Sequence, residues 1–299
     1  MKMRVAASAL CLLVVNAAAC ASKAPPPAAT LAAETSPAAP APPPTAPTAA
    51  ARPPAALRSA SEILGDAIRA IGTPEAWNAH KTMRVTLEMT FQGLGITGTG
   101  ERIVTATDKS LVVTNIPGVG VIREGSNGST FWSADPIHGV RLLEGNEEEQ
   151  ARADSVWNPE LRLNQLYRKI EAKNETDPAG KPLECLVLIP RSAPPTTNCY
   201  DAATHLQVSQ KGTRATPQGD TPFSSTLSDW RSVGGLKMAF GVLTQAGPIT
   251  FKGTVKAVSF DEPVADKMFE PPEPETPPAA PAPAARSKRK VKAGAKAKP

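Results

Sequence analysis

The sequence predicts a mainly β, α+β fold: a long antiparallel meander with one N-terminal helix and one inserted helical segment. Three observations predict it. Met83, Val85, Leu87, Met89 and Phe91 alternate with Arg84, Thr86, Glu88, Thr90 and Gln92, the period of a strand with one apolar and one wet face. Further strand-like runs follow, separated by turn residues such as Gly93, Gly95, Gly234 and Gly235. No stretch alternates strands with long helices, which argues against a parallel α/β sheet.

Residues 1–19 read as a targeting segment. Lys2 and Arg4 open it, and the apolar run 6–15 is too short to cross a bilayer core of ~30 Å. Ala17-Ala18-Ala19-Cys20 then resembles the lipobox of bacterial lipoproteins, in which the Cys takes lipid (diacylglyceryl and palmitate-type chains) and becomes the mature N-terminus. Ala17 stands where the lipobox usually has Leu, and the alternative is ordinary cleavage after Ala19. Ala21 and Ser22 after Cys20, with no Asp, resemble outer-membrane sorting. Residues 20–56 form an Ala/Pro-rich tether with eleven prolines, and 271–299 a tail with eight. Neither has the apolar side chains to offset ordering entropy, so both are expected to be disordered. Residues 57–270 remain, enough for one sizeable core.

Within that core, 57–71 is an amphipathic helix. Ile63, Leu64, Ala67, Ile68 and Ile71 share a face, Ser59 or Ser61 caps its start and Gly72 ends it. Thr73-Pro74-Glu75 opens a short second turn that carries Trp77 onto the sheet. After the alternating strand, 96–107 returns with Gly98 and Gly100 on one face, where glycines let a sheet bend or a neighbour come close. Strands are expected at 110–115, 119–124 and 130–133. A helix follows at 146–156, capped by Asn146 with Glu147, Glu148 and Glu149 in its first turn, and a second helical piece at 159–167. Strands resume at 169–175, 183–189, 196–201, 206–211, 223–231, 236–244 and 249–260.

Charge and cysteines bound the partners. The chain carries +5 overall, but residues 57–270 hold 22 Lys+Arg against 25 Asp+Glu, while the tail from 271 holds seven cations against two acids. A basic domain surface for nucleic acid is not indicated. Of four cysteines, Cys11 leaves with the signal and Cys20 takes lipid, so Cys185 and Cys199 remain as a pair. A long hairpin through 190–195 would set them opposite each other for a disulfide; the alternative is two small buried apolar residues.

Catalytic patterns are missing from the sequence. His80, His138 and His205 lie in separate segments, Asp135-Pro136 reads as a turn, and no P-loop, HExxH, GxSxG or CxxC occurs. No enzyme activity, cofactor or metal is expected.

Taken in order, several short motifs resemble the LolA/LolB-like superfamily, which includes outer-membrane lipoprotein-sorting proteins. They are Ile71-Gly72 with Trp77, Pro117-Gly118-Val119-Gly120 before Arg123-Glu124-Gly125, Asn127-Gly128, Trp132-Ser133 with Asp135-Pro136 and Gly139, Arg141-Leu142-Leu143, Tyr200-Asp201, and Leu227-Ser228-Asp229-Trp230-Arg231. The resemblance spans 57–270. It implies a strongly curved antiparallel half-barrel whose concave face is covered by the helices, with lipid acyl chains or lipoproteins in an apolar cavity between them. It also implies an arginine that latches the lid, for which no position stands out in the sequence. Leu64, Ile68, Met83, Val85, Leu87, Met89 and Phe91 are the expected cavity lining. Ile116 and Val119 flank Pro117-Gly118 in a loop that either dips into the membrane at the cavity mouth or tucks both side chains inward. The function expected is a periplasmic lipid- or lipoprotein-binding module anchored at the outer membrane through Cys20. The alternative is a non-catalytic structural lipoprotein with a filled half-barrel. In either case the basic tail is a solubilising end or a contact to anionic envelope polymers.

Overall fold

The computed structural model describes residues 56–273. The signal segment, Cys20, almost all of the tether and the basic tail lie outside the described residues. Helix α1 (Ala60–Ile71) starts at Ser59, not Ser61: Ser59 Oγ accepts from Glu62 N, while Glu62 Oε2 accepts from Ser59 N at 2.9 Å. This reciprocal capping box, worth ~1 kcal/mol, fixes where the chain turns into helix. The helix buries Ile63, Ala67 and Ile71. Helix α2 (Pro74–Asn78), capped by Thr73, delivers Trp77 fully buried into the core.

Thirteen strands follow. They are β1 (Thr82–Phe91), β2 (Ile96–Thr105), β3 (Ser110–Ile116), β4 (Gly120–Ser126), β5 (Phe131–Asp135), β6 (Gly139–Leu142), β7 (Lys169–Thr176), β8 (Pro182–Ile189), β9 (Thr196–Asp201), β10 (Gln207–Arg214), β11 (Thr221–Val233), β12 (Leu236–Ala246) and β13 (Ile249–Phe260). All join one antiparallel sheet in the order β6-β5-β4-β3-β2-β1-β13-β12-β11-β10-β9-β8-β7. The sheet is an open half-barrel whose free edges are β6 and β7. The chain between those edges carries helix α3 (Gly145–Ser155), a 3-10 turn (Glu160–Arg162) and the short helix α4 (Leu163–Leu166).

Two differences from the sequence expectation matter. Strand β6 was not expected; it is a four-residue edge strand behind the Asp135-Pro136 turn, too short to show a period. Helix α3 begins one residue before Asn146, and the residue at its cap, Glu144, makes no side-chain cap bond.

The inner face of β1 is the spine of the main core. Met83, Val85, Leu87, Met89 and Phe91 pack with Trp77, Val104, Val112, Trp157, Val242 and Phe251. Gly100 lies opposite Leu87, and a Cβ there would sit 3.1 Å from the Leu87 side chain. The close approach that this glycine permits is therefore that of Leu87 itself. A second cluster lies under α1, where Ile63 and Ala67 meet Leu163, Leu186, Leu188 and Tyr200. A third lies on the outer face: Ile103, Leu111, Trp132 and Ala134 are covered by Phe269 from a C-terminal 3-10 turn (Asp266–Phe269). Trp132 Nε1 donates to the Phe269 carbonyl at 2.8 Å, and Trp132 lies flat over Gly125, where a Cβ would come within 2.3 Å of its ring.

Candidate functional site

Helix α3 has the sequence GNEEEQARADS and buries only Ser155. A helix polar all round has no apolar stripe to hold it, so its partners must be polar. Those partners come from two parts of the sheet, the β5–β6 end on one side and β10 with the β8–β9 connection on the other. Arg141 on β6 grips Glu147 through two bonds of 2.7 and 2.8 Å. Arg152 pairs with Glu148 and lies 4.6 Å from the Phe131 ring centroid. Across the gap, Gln150 donates to the Thr213 carbonyl at 2.8 Å and accepts from Ala215 N at 2.9 Å. Arg214 on β10 bonds Asp154 at 2.8 Å. Glu149 accepts from Arg191 N, Ser192 N, Ser192 Oγ and Ala193 N, at 2.6 to 2.9 Å. Burial opposes the Glu149 charge, but the Ser192 hydroxyl and the three backbone N–H groups overcome it and hold the carboxyl down at about 2. The helix is thus a strap from edge strand β6 to β10 and the β8–β9 connection, parts of the sheet that do not pair with each other.

Beyond the strap the chain dips inward. Trp157 is 0 % exposed and packs edge-on against Trp77, with ring centroids 6.3 Å apart. Trp157 N donates to Asp108 Oδ1 at 3.0 Å, and Arg162 pairs with the same carboxylate. The indole N–H groups of Trp77 and Trp157 are buried without an acceptor among the described residues.

Under the strap, Arg102 on β2 points to the inner face, in register with Val85 on one side and Val112 on the other. It is 2 % exposed, and its Nη2 donates to the Asp154 carbonyl at 2.7 Å. The buried guanidinium thus holds the C-terminal turn of α3 from below, a contact that no sequence position had suggested. The signal was nonetheless available: Gly98, Gly100, Arg102 and Val104 share one parity, so an arginine stood on the core-facing side of β2. Burial lowers the Arg102 pKa to about 10 against the pull of Asp154. Burial likewise raises the Asp154 carboxyl, opposed by Arg214.

The expected lining residues do not share one cavity. Met83, Val85, Leu87, Met89 and Phe91 are sealed in the main core, at 0 to 5 % exposure. Leu64 belongs to the separate cluster under α1, and Ile68 is half-buried on the same helix. Trp77 and Trp157 pack over the inner face of β1. Ile116 is buried at 3 % exposure and Val119 packs against the same core, so neither side chain of that loop is presented outward. Cys185 and Cys199 are register partners on β8 and β9 and are joined by a disulfide. With Glu175 they form a close group of potential metal ligands among the described residues, but the disulfide leaves no thiolate to bind an ion. His80, His138 and His205 stand apart, beside Asp261, Asp135 and Glu184 respectively.

No family model and no curated protein matches the chain. Among solved structures, it is similar to a LolA superfamily protein from Nitrosomonas europaea, with 13 % identity and a TM-score of 0.47 over 71 % of this chain and 98 % of that one. It is also similar to a domain described as an outer-membrane lipoprotein-sorting protein from Vibrio parahaemolyticus, with 12 % identity and a TM-score of 0.45 over 70 % of this chain and 94 % of that one. At these values the likenesses carry no residue roles across. No helix among the described residues is long and apolar enough to cross a membrane.

Proposed function

We propose that this chain is a non-catalytic lipid- or lipoprotein-binding module at the periplasmic face of a bacterial outer membrane, anchored through Cys20, whose apolar site is closed at rest. The observation that carries the reading is the strap itself: a polar helix, held mainly by hydrogen bonds and ion pairs, lies across the mouth of an apolar half-barrel and inserts Trp157 into it. Buried polar contacts contribute ~1 kcal/mol net each, because water replaces them on release. About ten such contacts are largely offset by an acyl chain that buries roughly ten CH2 groups at ~0.8 kcal/mol each. Trp157 also leaves an indole N–H without an acceptor when the site is closed, which costs ~1–3 kcal/mol and lowers the cost of opening. An acyl chain entering over β1 would displace Trp157 and meet Met83, Val85, Leu87, Met89 and Phe91.

The sealed core favours a second reading, a structural lipoprotein with a filled half-barrel. Extraction of the protein, purified from its own cells, with organic solvent separates the two. Stoichiometric acyl lipid in the extract supports the binding module. A lipid-free protein that also fails to take up fatty acid in solution supports the scaffold.

A further inference from the structure

The strap roofs a hollow of about 60 Å3 in which charged and hydroxyl groups join an apolar lining that includes Val112, Phe131, Trp132 and Leu143. Its lining includes Arg102, Ser110, Glu124, Ser126, Asp154 and Arg214. At ~15 Å3 per water, that is room for roughly four waters, or for one tetrahedral oxyanion. The register fixes the geometry. Arg102 on β2 pairs with Val112 on β3, and Val112 with Glu124 on β4. Arg102 and Glu124 therefore share a face two strands apart, about 10 Å across the sheet, with only Val112 between them. In the next row Ser110 pairs with Ser126, supplying two hydroxyls on the same face.

Arg102, Arg141 and Arg214 face Glu124, Glu147 and Asp154, so the charges balance in number when Glu124 is ionised and leave one excess cation when it is protonated. Glu147 is taken by Arg141 and Asp154 by Arg214, each at hydrogen-bond distance. Arg102 is left as a buried cation. Its one polar contact is a backbone carbonyl, its Nε is buried without a partner, and among the described residues no carboxylate forms an ion pair with it. Buried cations are ordinarily matched by an anion. Ser126 Oγ accepts from Gly128 N at 3.0 Å, which leaves its hydrogen to donate.

We infer that this hollow is a subsite for one phosphate-type oxyanion, held by Arg102 and the hydroxyls of Ser110 and Ser126 above Val112 and closed in by the strap. The shared chemistry is a tetrahedral oxyanion, supplied either by a lipid headgroup or by a free phosphate. The subsite stands independently of the acyl-binding reading, since it lies beside the apolar core and not within it. Glu124 sets its pH dependence. Burial raises that carboxyl to about 7, with Arg214 and Arg141 lowering it and Asp154 and Glu147 raising it. Ionised, it repels the anion; protonated, it does not. Arg102, Arg141 and Arg214 on the sheet and Glu147 and Asp154 on the strap complete the charged groups around it.

The test is calorimetric titration of the full chain, in detergent at constant ionic strength, with sulfate, whose charge is fixed between pH 6 and 8. One saturable site is expected, tighter at pH 6 than at pH 8, with proton uptake on binding. Arg102→Gln should weaken it at least tenfold, Arg102→Lys should weaken it less, and Glu124→Gln should remove the pH dependence. Glycerol 3-phosphate and dihexanoyl phosphatidic acid then identify the source. Tighter binding of the phosphatidic acid points to a headgroup, and preference for glycerol 3-phosphate to a free phosphate. Absence of saturable binding beyond a chloride control, or equal binding by Arg102→Gln and the native chain, overturns the assignment. If Arg102→Gln does not fold, Glu124→Gln decides: an unchanged pH dependence overturns it.

Discussion

Replacing Trp157 by Ala separates a plug from a pillar. Trp157 is fully buried in the main core, so truncation removes its transfer free energy and leaves a cavity; such changes cost ~3–5 kcal/mol. The edge-on contact with Trp77 adds ~0.5–1.5 kcal/mol to that loss, while release of the unpartnered indole N–H returns ~1–3 kcal/mol. The net expectation is a loss of ~2–4 kcal/mol, at the lower side of the range for a buried tryptophan. Trp132→Ala is the control. Trp132 is equally buried, but on the outer face, and its indole N–H is satisfied by the Phe269 carbonyl, so its loss should reach ~4–5 kcal/mol. Urea unfolding gives both values, and titration with a fluorescent apolar probe in the absence of denaturant gives the second readout. Trp157→Ala should bind the probe saturably, displaced by fatty acid; Trp132→Ala should not. Equal probe binding by both variants would mean general loosening. Binding by neither would mean that Trp157 is only packing, and would refute the reasoning.

Four other expectations follow from single features. Glu149 has a folded pKa of about 2 against an ordinary value of 4.5, so its contribution is present above pH 4.5 and lost as pH falls toward 2. Glu149→Gln should therefore lower the urea midpoint at pH 7 and flatten its decline between pH 4.5 and pH 2.5; an unchanged acid limb contradicts this. The Cys185–Cys199 disulfide closes a loop across a sequence separation of 14, which in the chain-entropy model is worth ~3 kcal/mol. Unfolding under reducing and non-reducing conditions should differ by about that amount, with no thiol from this pair titrating in the unreduced, unfolded chain. Cys20→Ala should move the protein from the membrane to the soluble fraction; unchanged fractionation would end the anchoring proposal. Removing the residues after Ala285 takes away seven cations, each worth ~1 kcal/mol near an anionic surface. An unlipidated full chain should sediment with envelope fragments at low salt and the truncated chain should not; identical sedimentation would leave the tail a solubilising end.

What could be read from the sequence and what could not divides along sequence distance. Strand β1 was legible because its apolar side chains all face one side, and that side is buried. The cysteine pair was legible because both residues flank one loop, so a hairpin alone brings them together. The strap was read as a helix with an acidic first turn, which describes its sequence but not its surroundings. Glu149 meets Ser192 43 residues away, Arg102 meets the Asp154 carbonyl 52 away, and Arg214 meets Asp154 60 away. Those distances depend on how far the sheet curves across its thirteen strands, and no local period encodes that. The parity of Arg102 did carry information, since a charged residue on the core-facing side of a strand demands a partner. Its identity had to wait for the strap. The same reasoning explains why this region is the place to look for function. An apolar helix over this face would have sealed the half-barrel more stably, because burying it would gain ~25 cal/mol per Å2. A polar helix gives up that gain and keeps contacts that water can replace at little cost. The sequence GNEEEQARADS, placed across an apolar core, is therefore suited to release and re-closure, and Arg102, Glu149 and Arg214 are the groups whose loss should shift that balance first.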